Sequence, residues 1–82
     1  MNKDILQKLN VVAKEQNLKF SFSEKDKNLT LKEIGLDSLA TIGIIVRLEN
    51  KLNVHIPDEV LAEIKTLKNL VDVFDDCVKK SK

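Results

Sequence analysis

Apolar side chains recur at the helical interval in three stretches of this chain. Ile5, Leu6, Leu9, Val12 and Ala13 follow three- and four-residue steps, so residues from about 3 to 16 are expected to form an amphipathic helix. A second helix is expected from Asp37 to about Leu52, with Asp37 as N-cap and Ser38 as its first residue. Its apolar positions, Leu39, Ile42, Ile44, Ile45, Val46, Leu48 and Leu52, cover more than one face. That surplus belongs to a helix that is either central or built to meet a partner. Thr66 is the expected N-cap of a last helix, in which Leu67, Leu70, Val71, Phe74 and Val78 repeat at the core-facing interval. Its tail, Lys79-Lys80-Ser81-Lys82, puts positive charge at the C-terminal end.

Between these stretches the pattern changes. From about Asn17 to Leu36 it breaks into Phe20-Ser21-Phe22-Ser23, the charged run Glu24-Lys25-Asp26-Lys27-Asn28, and then Leu29, Leu31, Ile34 and Leu36. This reads as a long connection pinned by apolar side chains, and connections beyond about a dozen residues are uncommon unless functional. Asn53 to Glu59 leads into a short helix, with Pro57 in its first turn and two acids at its positive end. The expected fold is all-α: a small helical bundle of three longer helices plus one short helix, with a long loop between the first two.

Composition narrows the function. Residues 1–82 are expected to form one domain, too small to enclose a substrate cleft between two lobes, which argues against an enzyme. Apolar residues at 43% and charged residues at 33% suit a folded soluble domain. Two Gly, one Pro and no Trp or Tyr argue against a sheet protein rich in tight turns. A net charge of +1 points to no nucleic-acid partner, and only residues 36–65 hold more acids than bases. One cysteine cannot form an internal disulfide, and neither a leader nor a membrane span is apparent, so a cytoplasmic location is expected. Cys77 reads as a small packing residue. His55 and Cys77 lack companion ligands, so no metal site is expected in the isolated protein.

Gly35-Leu36-Asp37-Ser38-Leu39 is the one place where a small residue, a carboxylate and a hydroxyl meet at a helix start. The plainest reading is that Asp37 caps the helix and Ser38 fills its first turn. A nucleophilic serine would need glycine two residues before and after it, where Leu36 and Ala40 stand, and a base, whereas the only histidine lies 17 residues on. A third reading makes Ser38 the attachment point of a phosphate-linked group, which the free N–H groups and dipole of a helix N-terminus would favour.

Ile34-Gly35-Leu36-Asp37-Ser38-Leu39 resembles the attachment motif of the acyl carrier proteins, and Val54-His55-Ile56-Pro57-Asp58-Glu59 resembles that family's second signature. Pro57 follows Ser38 by nineteen residues, as the family spaces them. The leading helix, the Thr66-Leu67 helix start and the total length extend the resemblance over essentially the whole chain. The resemblance implies that Ser38 receives 4′-phosphopantetheine from coenzyme A through a separate phosphopantetheinyl synthase. Asp37 would then match the acid that helps hold magnesium during that transfer. The arm's thiol would carry acyl groups as thioesters, and the protein would present them to acyltransferases and other acyl-processing enzymes without catalysing anything itself.

The resemblance also implies a shelter for the acyl chain among the helices, with Ile42, Val46, Ile56, Leu61, Ile64 and Leu67 as candidates; their alternative role is ordinary core. Family members commonly carry acids along the helix after the serine, and this chain departs from that pattern. Ala40 and Gly43 stand at two usually acidic places, Asn50 follows Glu49, and Arg47 and Lys51 add positive charge. Asp37, Glu49, Asp58, Glu59 and Glu63 remain as candidate steering charges. Partner recognition is therefore expected to lean on apolar contact through Leu39, Ala40, Ile44 and Val46, with Gly43 allowing another backbone to approach closely. His55 reads as a surface residue unless it approaches Glu59 or the helix after Ser38. Fatty acid biosynthesis or phospholipid metabolism is the expected setting. The alternatives are a dedicated carrier for polyketide, lipoyl-precursor or cell-wall acylation chemistry, and an unmodified helical scaffold.

Overall fold

The computed structural model describes residues 2–18 and 21–80; Phe20 and the tail residues Ser81 and Lys82 of the sequence reading lie outside it. Three long helices dominate: α1 (Lys3–Glu15), α3 (Ser38–Leu52) and α5 (Leu67–Lys80), with short helices α2 (Leu31–Ile34) and α4 (Asp58–Leu61) between them. A single 3-10 turn spans Glu24–Asp26. The all-α expectation holds, with one more short helix than expected.

Local chemistry sets each boundary. Asn2 caps α1, its Oδ1 accepting from the amides of Asp4 and Ile5 at 2.9 and 3.2 Å. Asn53, in the left-handed region at φ 56°, ends α3, its amide donating to the Glu49 carbonyl. Pro57 sits at the N-cap of α4, one position earlier than expected. Thr66 and Asn69 start α5 by a reciprocal exchange: Thr66 Oγ1 accepts from the Asn69 amide, and Asn69 Oδ1 accepts from the Thr66 amide, both at 3.1 Å.

Residues 21–37, which lead into α3, form a strap tied down at several points. Asn10 holds it to α1, its Nδ2 donating to the Phe22 carbonyl at 2.9 Å while its Oδ1 accepts from the Phe22 amide. Thr30 then forms an isolated antiparallel bridge with Thr66, the Leu31 amide donating to the Lys65 carbonyl at 3.0 Å and the Leu67 amide to the Leu29 carbonyl at 3.1 Å. A capping box starts α2: Thr30 Oγ1 accepts from the Glu33 amide, and Glu33 Oε1 accepts from the Thr30 amide at 2.9 Å. That second bond holds the Glu33 carboxyl below the usual glutamate range. Gly35, at φ 117°, closes α2 in a conformation that L side chains rarely adopt.

Among the described residues the core is entirely apolar. Leu9 and Val12 from α1, Ile44 and Leu48 from α3, Ile56, and Leu67, Leu70, Val71 and Phe74 from α5 are each at most 1% exposed. Phe22, Leu31 and Leu36 extend this core into the strap, whereas Leu29 is 37% exposed. Cys77 is half-buried against the same cluster. The Asn2 side chain reaches across to Asp75 on α5 at 2.7 Å, and Lys79 pairs with Asp75 at 3.1 Å. These two contacts, that with Asn2 the larger, keep the Asp75 carboxyl below its ordinary value.

Candidate functional site

The backbone delivers Ser38 to the surface in three steps. Gly35 turns the chain, Leu36 buries its side chain in the core (3% exposed), and Asp37 caps α3 with its Oδ1 accepting from the Ala40 amide at 2.8 Å. The Thr41 amide and hydroxyl both donate to the Asp37 carbonyl, at 3.0 and 2.8 Å. Ser38 is exposed as the first residue of α3. Its amide and that of Leu39 have no partner among the described residues, leaving the positive end of a 15-residue helix beside the hydroxyl.

Two clefts flank this serine. One, of about 420 Å³, is bounded by Lys32, Gly35, Leu36, Asp37 and Ser38. The other, of about 310 Å³, runs from Ser38 past Thr41, Ile42 and Ile45 to Leu61 and Ile64 on the α4 side. Lys32 borders both clefts and Lys65 the second alone. A larger cleft between α4 and α5, lined by Val54, Pro57, Val60 and Val73 together with His55 and Glu63, shares no residue with these two.

The acyl-lining candidates separate into three groups. Ile42, Leu61 and Ile64 line the cleft that opens at Ser38. Ile56 and Leu67 are 1% and 0% exposed in the core, and Val46 is 48% exposed on the outer face of α3; none of these three reaches the cleft. The partner candidates also divide. Leu39, at 81% exposed, stands one and two turns from Ile42 at 59% and Val46 at 48%, forming an uncovered apolar stripe. Ala40 is half-buried, and Asp58 and Glu59 are exposed on α4.

Ile44 must be removed from the partner set, because its side chain is fully buried among the helices. Glu49 is committed internally: its Oε2 accepts from the Ile56 amide at 2.8 Å and lies 3.3 Å from His55 Nδ1. This places His55 against α3, with no contact to Ser38. Lys51 is likewise paired, with Glu15 at 3.4 Å. Arg47 is exposed on the same helix with no ion pair among the described residues.

Gly43 also differs from expectation, since the group above it is the Gln16 side chain of the same protein. A Cβ at position 43 would fall 2.5 Å from Gln16 Nε2, the far end of a flexible side chain. That amide can swing aside, while glycine inside a helix costs about 1 kcal/mol relative to alanine. Gly43→Ala is therefore expected to raise stability by up to about 1 kcal/mol, read from urea denaturation; a clear loss would mean that the Gln16 amide is held in place.

The sequence reading missed Lys32, Thr41, Ile45 and Lys65 as neighbours of the serine. Thr30-x-x-Glu33 is a capping-box pattern, and it was the available signal that a helical turn precedes Gly35 and sets Lys32 beside the site.

A bundle that displays an exposed hydroxyl at a helix start, with a largely apolar cleft beside it, has the form of a presenting module. Comparison with known proteins gives this class a family. Residues 9–74 match the family model described as the phosphopantetheine attachment site. The chain is 36% identical over 77 residues to an acyl carrier protein homolog of Ureaplasma parvum serovar 3, covering 94% of each. It is 38% identical over 68 residues to an acyl carrier protein homolog of Mycoplasma genitalium, covering 83% of this chain and 81% of that one. The solution structure of the 5-phenyl-3-oxo-pentyl actinorhodin acyl carrier protein from Streptomyces coelicolor matches with a TM-score of 0.77 at 27% identity, covering 100% of this chain and 95% of that one. The chain belongs to the acyl carrier protein family; it is a carrier and not an enzyme.

Membership implies a covalently bound 4′-phosphopantetheine. The Ser38 region fits such a group: an exposed hydroxyl, two unpartnered amides at a positive helix end, and a lysine bordering both adjoining clefts.

Proposed function

We propose that Ser38 carries the 4′-phosphopantetheine arm, and that residues 1–82 act as one carrier domain, presenting acyl thioesters to the enzymes that make and use them. The observation that supports this most directly is the exposed Ser38 hydroxyl, first in α3 and at the mouth of an apolar cleft. Asp37 is the proposed magnesium contact during modification: one carboxylate oxygen caps the helix, and the other has no partner among the described residues. The synthase supplies the base that Ser38 lacks. Intact mass before and after incubation with coenzyme A, magnesium and a broad-specificity phosphopantetheinyl synthase tests the assignment.

Ile42, Ile45, Leu61 and Ile64 are the proposed lining for a sheltered acyl chain, because they border the cleft that begins at the serine. All four are aliphatic, which favours an aliphatic cargo and hence fatty acid or phospholipid metabolism. The working state is a cytoplasmic monomer that meets its enzymes in turn; among the described residues no helix is long and apolar enough to cross a membrane. Leu61→Phe is expected to shorten the longest acyl chain whose thioester is protected from hydroxylamine. Equal protection of every chain length in the variant and the parent would remove the cleft from this role.

Leu39, Ile42 and Val46 are the proposed docking stripe, with Ala40 at its edge and Asp58 and Glu59 as the acids left to steer an approach. Glu49 and Gly43 drop out, one occupied by Ile56 and His55 and the other covered by Gln16.

A further inference from the structure

We propose that Lys32 is the counter-charge for the phosphodiester of the arm on Ser38, fixing the base of the arm on the α2 side of the serine; this rests on Ser38 being the attachment residue. Three observations carry it. Lys32 borders both clefts that flank Ser38, the one basic residue common to the two linings. It has no ion pair among the described residues, although Glu33 and Asp37 follow it closely in the chain. Glu33 is engaged in the capping box with Thr30, and one Asp37 oxygen caps α3 through the Ala40 amide.

Charge balance gives the placement a purpose. A phosphodiester on Ser38 adds a negative charge immediately beside the Asp37 carboxylate, and like charges at such range repel. A lysine held on the neighbouring helical turn offsets that repulsion as a compact, rotatable donor. Its position follows from the fold, because the Thr30–Glu33 box and the Gly35 turn fix how α2 meets the start of α3. Lys65 borders only the cleft on the α4 side and not both flanks of the serine.

The test is phosphorus NMR on the arm-bearing protein, prepared with coenzyme A and a synthase and checked by intact mass. Parent, Lys32→Gln, Lys32→Arg and Lys65→Gln proteins are compared at low salt. Lys32→Gln is expected to move the phosphorus resonance toward its position in the urea-unfolded carrier, while Lys32→Arg and Lys65→Gln keep the parent position. Raising salt from about 0.1 to about 1 M shortens the screening length from about 10 to about 3 Å, and should bring the parent to the Lys32→Gln position. A Lys32→Gln resonance that coincides with the parent's at low salt, in a protein that has gained its arm, overturns the role of Lys32 alone. Absence of an arm on the parent protein overturns the Ser38 assignment, and the role of Lys32 with it.

Discussion

Ser38→Ala abolishes the mass gain of one phosphopantetheine unit that the parent protein shows with coenzyme A, magnesium and a synthase. This expected result is all-or-none, because the substitution deletes the oxygen proposed to form the phosphodiester. The nearest other hydroxyl, Thr41, donates to the Asp37 carbonyl at 2.8 Å and is half-buried one turn into α3, so it is no substitute. Folding should not change. Ser38 is exposed, its side chain makes no bond among the described residues, and alanine suits a helix at least as well as serine. An unaltered thermal transition with complete loss of modification therefore separates chemistry from stability.

Asp37 allows a finer version of that experiment. Asn caps a helix about as well as Asp, while Ala at the cap costs about 1 kcal/mol. Asp37→Asn should thus keep the fold and slow modification if the carboxylate meets magnesium. A parent protein that gains no mass with several synthases would instead support the scaffold alternative, in which the fold persists without the arm.

The start of α3 was legible in the sequence because its cause is local. Asp37 caps from three residues before Ala40, and Gly35 sits where only a residue tolerant of positive φ closes α2 easily. Helix α5 was legible for the same reason, through Thr66 and its core-facing repeat. Helix α2 was not foreseen, since four residues are too few to show a period, although its Thr30-x-x-Glu33 box was written in the chain.

Contacts between distant segments were the part that residue patterns could not supply. Glu49 reads as a surface acid, yet it satisfies the Ile56 amide seven residues later. Ile56 and Leu67 are as aliphatic as Ile42 and Ile64, and only packing decides which pair closes the core and which borders the cleft. Gly43 suggested an external backbone, whereas the occupant is Gln16, 27 positions earlier in the chain.

Leu39→Ala should produce the second large effect: a fall in synthase kcat/KM of about tenfold or more, with no change in thermal stability. Leu39 is 81% exposed, so the folded protein alone loses almost nothing. On docking, a fully buried leucine contributes about 1.5–3 kcal/mol, and every 1.4 kcal/mol is a factor of ten. Ile42 and Val46 extend the same exposed stripe along α3, the kind of surface expected at the proposed docking site. The electrostatic share should be small, because Glu49 faces inward, Lys51 pairs with Glu15, and the exposed charge left on the helix is Arg47. Exposed charges are also individually weak and screened. The parent protein's kcat/KM is accordingly expected to vary only a few-fold between about 0.05 and 0.3 M salt, over which an exposed ionic interface weakens markedly. A steep decline with salt, together with an unaffected Leu39→Ala protein, would reverse the ranking and make Asp58, Glu59 and Arg47 the groups that partners read.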